Sequence, residues 1–186
     1  MRIIGGKFKG KKIFFLKSSS TRPLKDSVKE NIFNILTHSN LFNIKIKESF
    51  ILDLYSGIGS FGLECISRDA KKIFFVEKQK VVAEILKNNL SNLGVQNKGK
   101  VIINELHYFI KNNVQKFDII FLDPPYVDNS YLDELKFIKE KKIYKSNHII
   151  IIHRDKKTKD NLEDIIHPLI TKQYGRSKII FAKFLR

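Results

Sequence analysis

From Phe50 onward the chain repeats one pattern, a short apolar run followed by a longer stretch with helical spacing. Strands are expected at Phe50 to Leu54, Lys72 to Val76, Lys100 to Asn104, Phe117 to Leu122 and Asn147 to Ile152, with helical stretches such as Gln79 to Leu93 and Tyr131 to Lys141 between them. Parallel strands need crossover helices, and helices on both faces bury the strands twice over. The alternation therefore predicts an α/β fold of the Rossmann-like, doubly wound, mainly parallel kind. The tail breaks the alternation. Leu169 to Tyr174 and Lys178 to Leu185 flank Gly175-Arg176-Ser177 and read as a hairpin, which adds antiparallel strands at one edge and brings the sheet to seven.

Ahead of the sheet, Arg2 to Leu16 alternates apolar and basic residues around Gly5-Gly6 and Gly10. That pattern fits a twisted β-hairpin standing outside the main core, an arm over residues 1–20 on a main domain of 21–186. Ser18 to Pro23 supply cap and turn residues for a helix from about Leu24 to Leu36, in which Val28, Ile32, Ile35 and Leu36 share an apolar face. With 186 residues and 42% hydrophobic content, the chain suits one compact domain plus a small appendage. Cys65 is the one cysteine, and Met1 to Gly10 lacks the apolar core of a signal peptide, so a cytoplasmic protein is expected. The longest aliphatic run, Ile149 to Ile152, is far short of the roughly 20 residues that span a bilayer. The formal net charge of +16 suggests a polyanionic partner, and Lys7, Lys9, Lys11, Lys12 and Lys17 crowd the arm.

The first strand runs into Asp53-Leu54-Tyr55-Ser56-Gly57-Ile58-Gly59-Ser60-Phe61-Gly62. Its glycines let the backbone turn tightly against a ligand, and Gly57, Gly59 and Gly62 satisfy the dinucleotide pattern G-x-G-x-x-G. Glu77 ends the second strand, where a carboxylate meets ribose hydroxyls. A pyrophosphate, however, would meet the negative charge of Asp53 four residues before the first glycine. S-adenosylmethionine carries an ammonium and a sulfonium and no phosphate, so an acidic, glycine-rich loop with Asp53, Tyr55, Ser56 and Glu77 accommodates it. Glu105 and the Leu106 amide, after the third strand, are placed to meet the adenine ring.

After the fourth strand comes Asp123-Pro124-Pro125-Tyr126. Consecutive prolines have fixed φ and no N–H, so they hold a loop extended with carbonyls free to accept. Asp123 adds a carboxylate and Tyr126 an aromatic face, a set that receives the N–H bonds of an exocyclic amine and stacks on the base carrying it. The fourth strand lies beside the first in this class of sheet, which brings the two loops face to face at the switch point. No metal is expected, since the charge removed in methyl transfer already resides on sulfur. His38, His107, His148, His153 and His167 show no ligand spacing and read as surface or structural residues.

Together, Arg2-Ile3-Ile4-Gly5-Gly6 with Gly10, Thr21-Arg22-Pro23 with Asp26, Val28, Glu30, Phe33 and Asn34, then Asp53 to Glu64 and Asp123 to Tyr126 resemble the RsmD family. These are bacterial small-subunit (16S) ribosomal RNA guanine-N2 methyltransferases, of the class I S-adenosylmethionine-dependent fold. The resemblance implies RNA contacts by Arg2, Lys7, Lys9, Lys11 and Arg22, on naked 16S RNA or an assembling 30S subunit, and a monomer is expected. For guanine N2, Asp123 and the Pro124 carbonyl would draw the delocalised lone pair toward tetrahedral geometry, Tyr126 fixing the base plane. Two departures stand out: Gln79 replaces an acidic or polar residue after the ribose glutamate, and His153-Arg154 stand where an acid commonly ends the fifth strand. DNA adenine-N6 and protein-glutamine methyltransferases share the amine logic, and a non-enzymatic RNA-binding protein with a relic cofactor pocket is a third class. Neither of the first two accounts for the hairpin and the Thr21-Arg22-Pro23 segment together, and the third does not account for intact Asp53, Glu77 and Asp123.

Overall fold

The computed structural model describes residues 1–15, 24–103, 106–111 and 115–185, without the side chains of 106, 107 and 111. The elements follow in the order α1 (Asp26–His38), β1 (Phe50–Leu54), α2 (Ser60–Ser67), β2 (Lys72–Val76), α3 (Lys80–Asn92), β3 (Gly99–Ile102), α4 (Leu106–Lys111), β4 (Phe117–Leu122), α5 (Tyr131–Lys141), β5 (Tyr144–Asp155), β6 (Ile166–Tyr174) and β7 (Ser177–Phe184). They build a seven-stranded sheet in the order β3-β2-β1-β4-β5-β7-β6, parallel through β5 and antiparallel in the final pair. The chain winds outward from β1 to β3, then crosses back to β4. The crevice between β1 and β4 is therefore the topological switch point, where open sheets of this kind bind ligands beyond the strands' carboxyl ends.

Strand residues feed two apolar layers by strict alternation. Ile51, Ile73, Phe75, Ile119, Phe121 and Ile151 join α1, α2 and α3 on one face. Leu52, Phe74, Ile120, Leu122 and Ile152 join α4 and α5 on the other, where Leu135 and Ile138 are fully buried. Both faces being covered, the strands carry near-continuous apolar runs, which is why β1, β2 and β4 begin and end where the sequence predicts them. β5 is longer than expected and reaches Asp155, because β7 continues to pair with His153, Arg154 and Asp155.

The N-terminal segment folds back on itself, with Arg2 bridged to Lys12 and the Ile3 amide donating to the Lys11 carbonyl at 2.9 Å. It does not stand outside the core as expected. Ile3 and Ile13 are buried in the same layer as Ile32, Phe33 and Phe61. The reason lies in α2. Glu64, fully buried, accepts the amides of Ile4 at 3.0 Å and Gly5 at 2.8 Å, and the Ser67 hydroxyl accepts the Phe8 amide at 2.9 Å while donating to the Gly5 carbonyl at 2.6 Å. A side chain at Gly6, whose φ is +74°, would stand 2.0 Å from the Ser67 carbonyl oxygen, so only glycine permits this approach. Lys29, also fully buried, donates to the Arg2 carbonyl at 2.7 Å and lies 3.2 Å from Asp26 and 3.9 Å from Glu64. Arg68 pairs with Glu64 as well.

Candidate active site

Strand register places the site residues in a row. Leu54 is level with Val76 on one side and Leu122 on the other, and Leu122 is level with Ile152. The next residue along each strand is thus Glu77, Tyr55, Asp123 or His153, arrayed across the carboxyl edge of β2, β1, β4 and β5. At about 4.8 Å per strand, Glu77 and Asp123 bracket the switch point roughly 10 Å apart.

The glycine loop closes over β1 and β2. Gly57 donates its amide to Glu77 Oε2 at 2.9 Å, and Glu77 Oε1 accepts the Gln79 amide at 2.8 Å. Gln79 therefore supports the glutamate through its backbone amide. Gly62 donates to Asp53 Oδ2 at 2.9 Å. Of the three motif glycines, only Gly57, at φ +54°, faces open space. A Cβ on Gly59 would stand 2.3 Å from Leu86, and one on Gly62 would stand 2.2 Å from Phe75, so those two serve helix packing. Ser56 is buried, with its hydroxyl 3.3 Å from the Val76 carbonyl. Tyr55 is held at φ +57°, strained for a side-chain-bearing residue, and its hydroxyl donates to Glu134 on α5.

Asp53 is almost wholly buried, and its pKa is raised well above the usual carboxylate value, first by desolvation and further by the charges of Asp123 and Glu77, against the opposing Gly62 bond. Three carboxylates, Asp53, Glu77 and Asp123, lie close enough to act on one another, which favours a cationic ligand. The Ser60 hydroxyl at the start of α2 is buried with no hydrogen-bond partner among the described residues. A ligand bearing an ammonium, a sulfonium and hydrogen-bonding groups fits this chemistry.

The loop after β4 is fixed from behind. His153 Nδ1 meets Asp123 Oδ1 at 2.8 Å, and its Nε2 meets the Ser177 hydroxyl at 2.9 Å. Arg154, fully buried, donates to the Pro125 carbonyl at 2.9 Å and to the Tyr126 carbonyl and Asn129 Oδ1 at 3.2 Å each. Its Nε pairs with Asp160 at 3.0 Å, and its guanidinium lies 4.6 Å from the centre of the Tyr131 ring. Burial raises the pKa of Asp160, and Lys178, the Tyr131 hydroxyl, Arg154 and Thr158 together outweigh it, leaving that carboxyl below the ordinary value. The Pro125 carbonyl also accepts the Asp128 amide at 2.9 Å, contrary to the expectation that both proline carbonyls stand free. His153, expected to be a surface or structural residue, is a buried one bonded at both ring nitrogens, and one of its partners is Asp123. The Tyr126 ring stands edge-on to it, with centroids 5.9 Å apart.

The hairpin cations lie elsewhere. Lys7 is bound at the far end of α2, its amide on the Ser67 carbonyl at 2.7 Å and its ammonium 2.6 Å from Asp69. At about 1.5 Å per residue, that is roughly 12 Å along α2 from the glycine loop. Lys9 and Lys11 share the hairpin with it, and the Arg2 side chain lies 3.4 Å from Asp26. Arg22 and Glu105 lie outside the described residues, and Leu106 opens α4. Sequence reasoning missed Asn89, whose side chain accepts the Phe14 amide at 2.8 Å and donates to the carbonyls of Phe14 at 3.0 Å and Ile58 at 3.2 Å, tying the hairpin's end to the glycine loop.

The profile of the family described as Conserved hypothetical protein 95 matches residues 1–183. The Ribosomal RNA small subunit methyltransferase D of Haemophilus influenzae is 37% identical over 159 residues, 84% of this chain and 79% of that protein. This chain belongs to the RsmD family. A solved structure of a Haemophilus influenzae protein superposes with a TM-score of 0.78 at 31% identity, covering 100% of this chain and 98% of the other. One from Escherichia coli gives 0.81 at 23% identity over 99% and 97%, a likeness of fold. The RsmD family likeness thus spans the hairpin, the glycine loop and the loop after β4 in one alignment. His153-Arg154 proves to be the pair that grips Asp123 and its loop, and the visible signal was its place directly beyond the Ile149 to Ile152 run.

Proposed function

We propose that the protein methylates the exocyclic N2 of a guanine in small-subunit (16S) ribosomal RNA, using S-adenosylmethionine. The observation that carries this reading is a pair of acceptors. Among the described residues Asp123 Oδ2 and the Pro124 carbonyl have no hydrogen-bond partner, while Asp123 Oδ1 and the carbonyls of Pro125 and Tyr126 are all engaged. Two adjacent free acceptors match the two N–H bonds of a primary aromatic amine.

In this reading, Asp53, Tyr55, Ser56, Gly57 and Glu77 hold the cofactor, with Gly59 and Gly62 shaping the loop and Glu105 and Leu106 meeting adenine. When bound, the cofactor supplies an electrophilic methyl group on a sulfonium. Asp123 Oδ2 and the Pro124 carbonyl accept the amine's hydrogens and turn its lone pair out of conjugation. A carboxylate is too weak a base to strip a neutral aromatic amine, so Asp123 receives the proton after alkylation has made the nitrogen cationic. Tyr126 stacks on the base. Arg2, Lys7, Lys9, Lys11 and Arg22 hold RNA phosphates, and the protein acts as a cytoplasmic monomer on 16S RNA, naked or in an assembling 30S particle. The family's named relatives support the RNA class, and among the described residues no helix is long and apolar enough to cross a membrane.

The test is transfer of labelled methyl from S-adenosylmethionine to 16S RNA and to 30S particles, followed by nucleoside analysis. N2-methylguanosine as the product supports the proposal. Label in methyladenosine, in protein, or nowhere would overturn it.

A further inference from the structure

The role of His153 and Arg154 follows from the geometry behind Asp123. An ionised carboxylate only accepts hydrogen bonds, so in the 2.8 Å contact with Asp123 Oδ1 the His153 Nδ1 carries the proton. Nε2 is fixed in turn by Ser177 at 2.9 Å, and Ser177 opens β7, hydrogen-bonded to β5 through Asp155. The imidazole is buried and cannot swing without breaking a bond at each end. Asp123 therefore cannot rotate about its Cβ–Cγ bond without losing its partner. Meanwhile Arg154 occupies the next two carbonyls, Pro125 and Tyr126, at 2.9 and 3.2 Å.

Building on the amine-acceptor reading above, we infer that His153 is a positioning residue. It locks the Asp123 carboxylate so that Oδ2 lies beside the Pro124 carbonyl, and Arg154 removes the two competing carbonyls, leaving one pair of acceptors for one amine. The neighbour of Asp123 is a donor, so the carboxylate is fixed before substrate arrives.

Two measurements test this. The first needs neither substrate nor cofactor: nitrogen-detected NMR of the histidine rings in the free protein. The expected result is a proton on His153 Nδ1, lost or exchanged to a tautomer mixture in Asp123→Ala and retained in Ser177→Ala. A wild-type ring protonated at Nε2 alone would overturn the inference, whatever the enzyme methylates. The second is single-turnover methyl transfer with labelled S-adenosylmethionine and 30S particles. His153→Ala should slow transfer by roughly 10²-fold, as a misplacement of about 1 Å does, with cofactor affinity unchanged by calorimetry. His153→Asn, whose amide can replace the Nδ1 donor, should recover most of the rate, and His153→Ala should add nothing to Asp123→Ala. Equal rates in His153→Ala and wild type, or additive losses in the double variant, would overturn it. Wild-type rates in Asp123→Ala would instead sink the amine-acceptor reading, leaving the NMR result to judge the pair.

Discussion

Glu77 reaches across from the end of β2 to accept the Gly57 amide at 2.9 Å, so one carboxylate both shapes the glycine loop and faces the site. Glu77→Ala should weaken S-adenosylmethionine binding by about 1.5 to 3 kcal/mol, the range for hydrogen bonds to a charged group. Isothermal calorimetry reads this directly, and an unchanged affinity would remove Glu77 from the cofactor site.

Asp53 carries a pH signature. Its folded-state pKa is raised, so the fold binds a proton more tightly than the unfolded chain does, and this contribution to stability is lost as pH climbs from about 4 through the folded value. Asp53→Asn keeps an acceptor for the Gly62 amide without the charge. The ligand-free variant should melt higher than wild type at neutral pH, converge with it near pH 4, and gain less from added S-adenosylmethionine. Identical melting curves at every pH would show that Asp53 is not destabilised by its burial.

Asp123→Ala should lose roughly 10² to 10³ in the rate of transfer, as removal of a preorganised acceptor does. Tyr126→Ala should weaken capture of the base by about 1 to 3 kcal/mol, and Tyr126→Phe should be mild. Single-turnover rates against RNA concentration separate the two effects.

Replacing Arg2, Lys7, Lys9 and Lys11 should weaken RNA binding and leave cofactor affinity alone. Each lost phosphate contact should flatten the plot of log affinity against log salt by about 0.7 to 0.9. The Lys7 to Asp69 pair is solvent-exposed and worth little, so it should not mask the effect. A slope equal to wild type would separate the hairpin from RNA binding.

Glu64→Ala should destabilise the protein by about 3 to 5 kcal/mol, because it strips a buried acid from Lys29 and Arg68. Urea unfolding gives the cost. Faster proteolysis within the first 15 residues should accompany it, since the amides of Ile4 and Gly5 lose their anchor.

The parallel sheet was legible because burial on both faces writes itself as apolar runs, and β1, β2, β4 and α5 begin and end where those runs do. The switch-point loops were legible for the same reason, since a strand's end fixes where its loop begins. The hairpin was misjudged. Ile3 and Ile13 alternate with lysines as an exposed arm would, and nothing local reveals that Glu64 and Ser67, some 60 positions on, supply acceptors for its amides. His153 and Arg154 escaped similarly, their partners lying 28 to 30 positions back. Hydrophobic periodicity is local information, whereas a polar clamp is defined by two strands meeting.

The buried Arg154 fork has one more consequence. Anchored by Asp160 on one side and two loop carbonyls on the other, it holds the loop after β4 in shape with no ligand needed to order it. The conformational entropy of that loop is surrendered when the chain folds, not when RNA arrives. Such a receptor does not mould itself to its target. The adaptation then falls to the nucleic acid, whose guanine must leave its stack and come to the loop, and ribosomal segments whose bases unstack with least effort should be the ones modified.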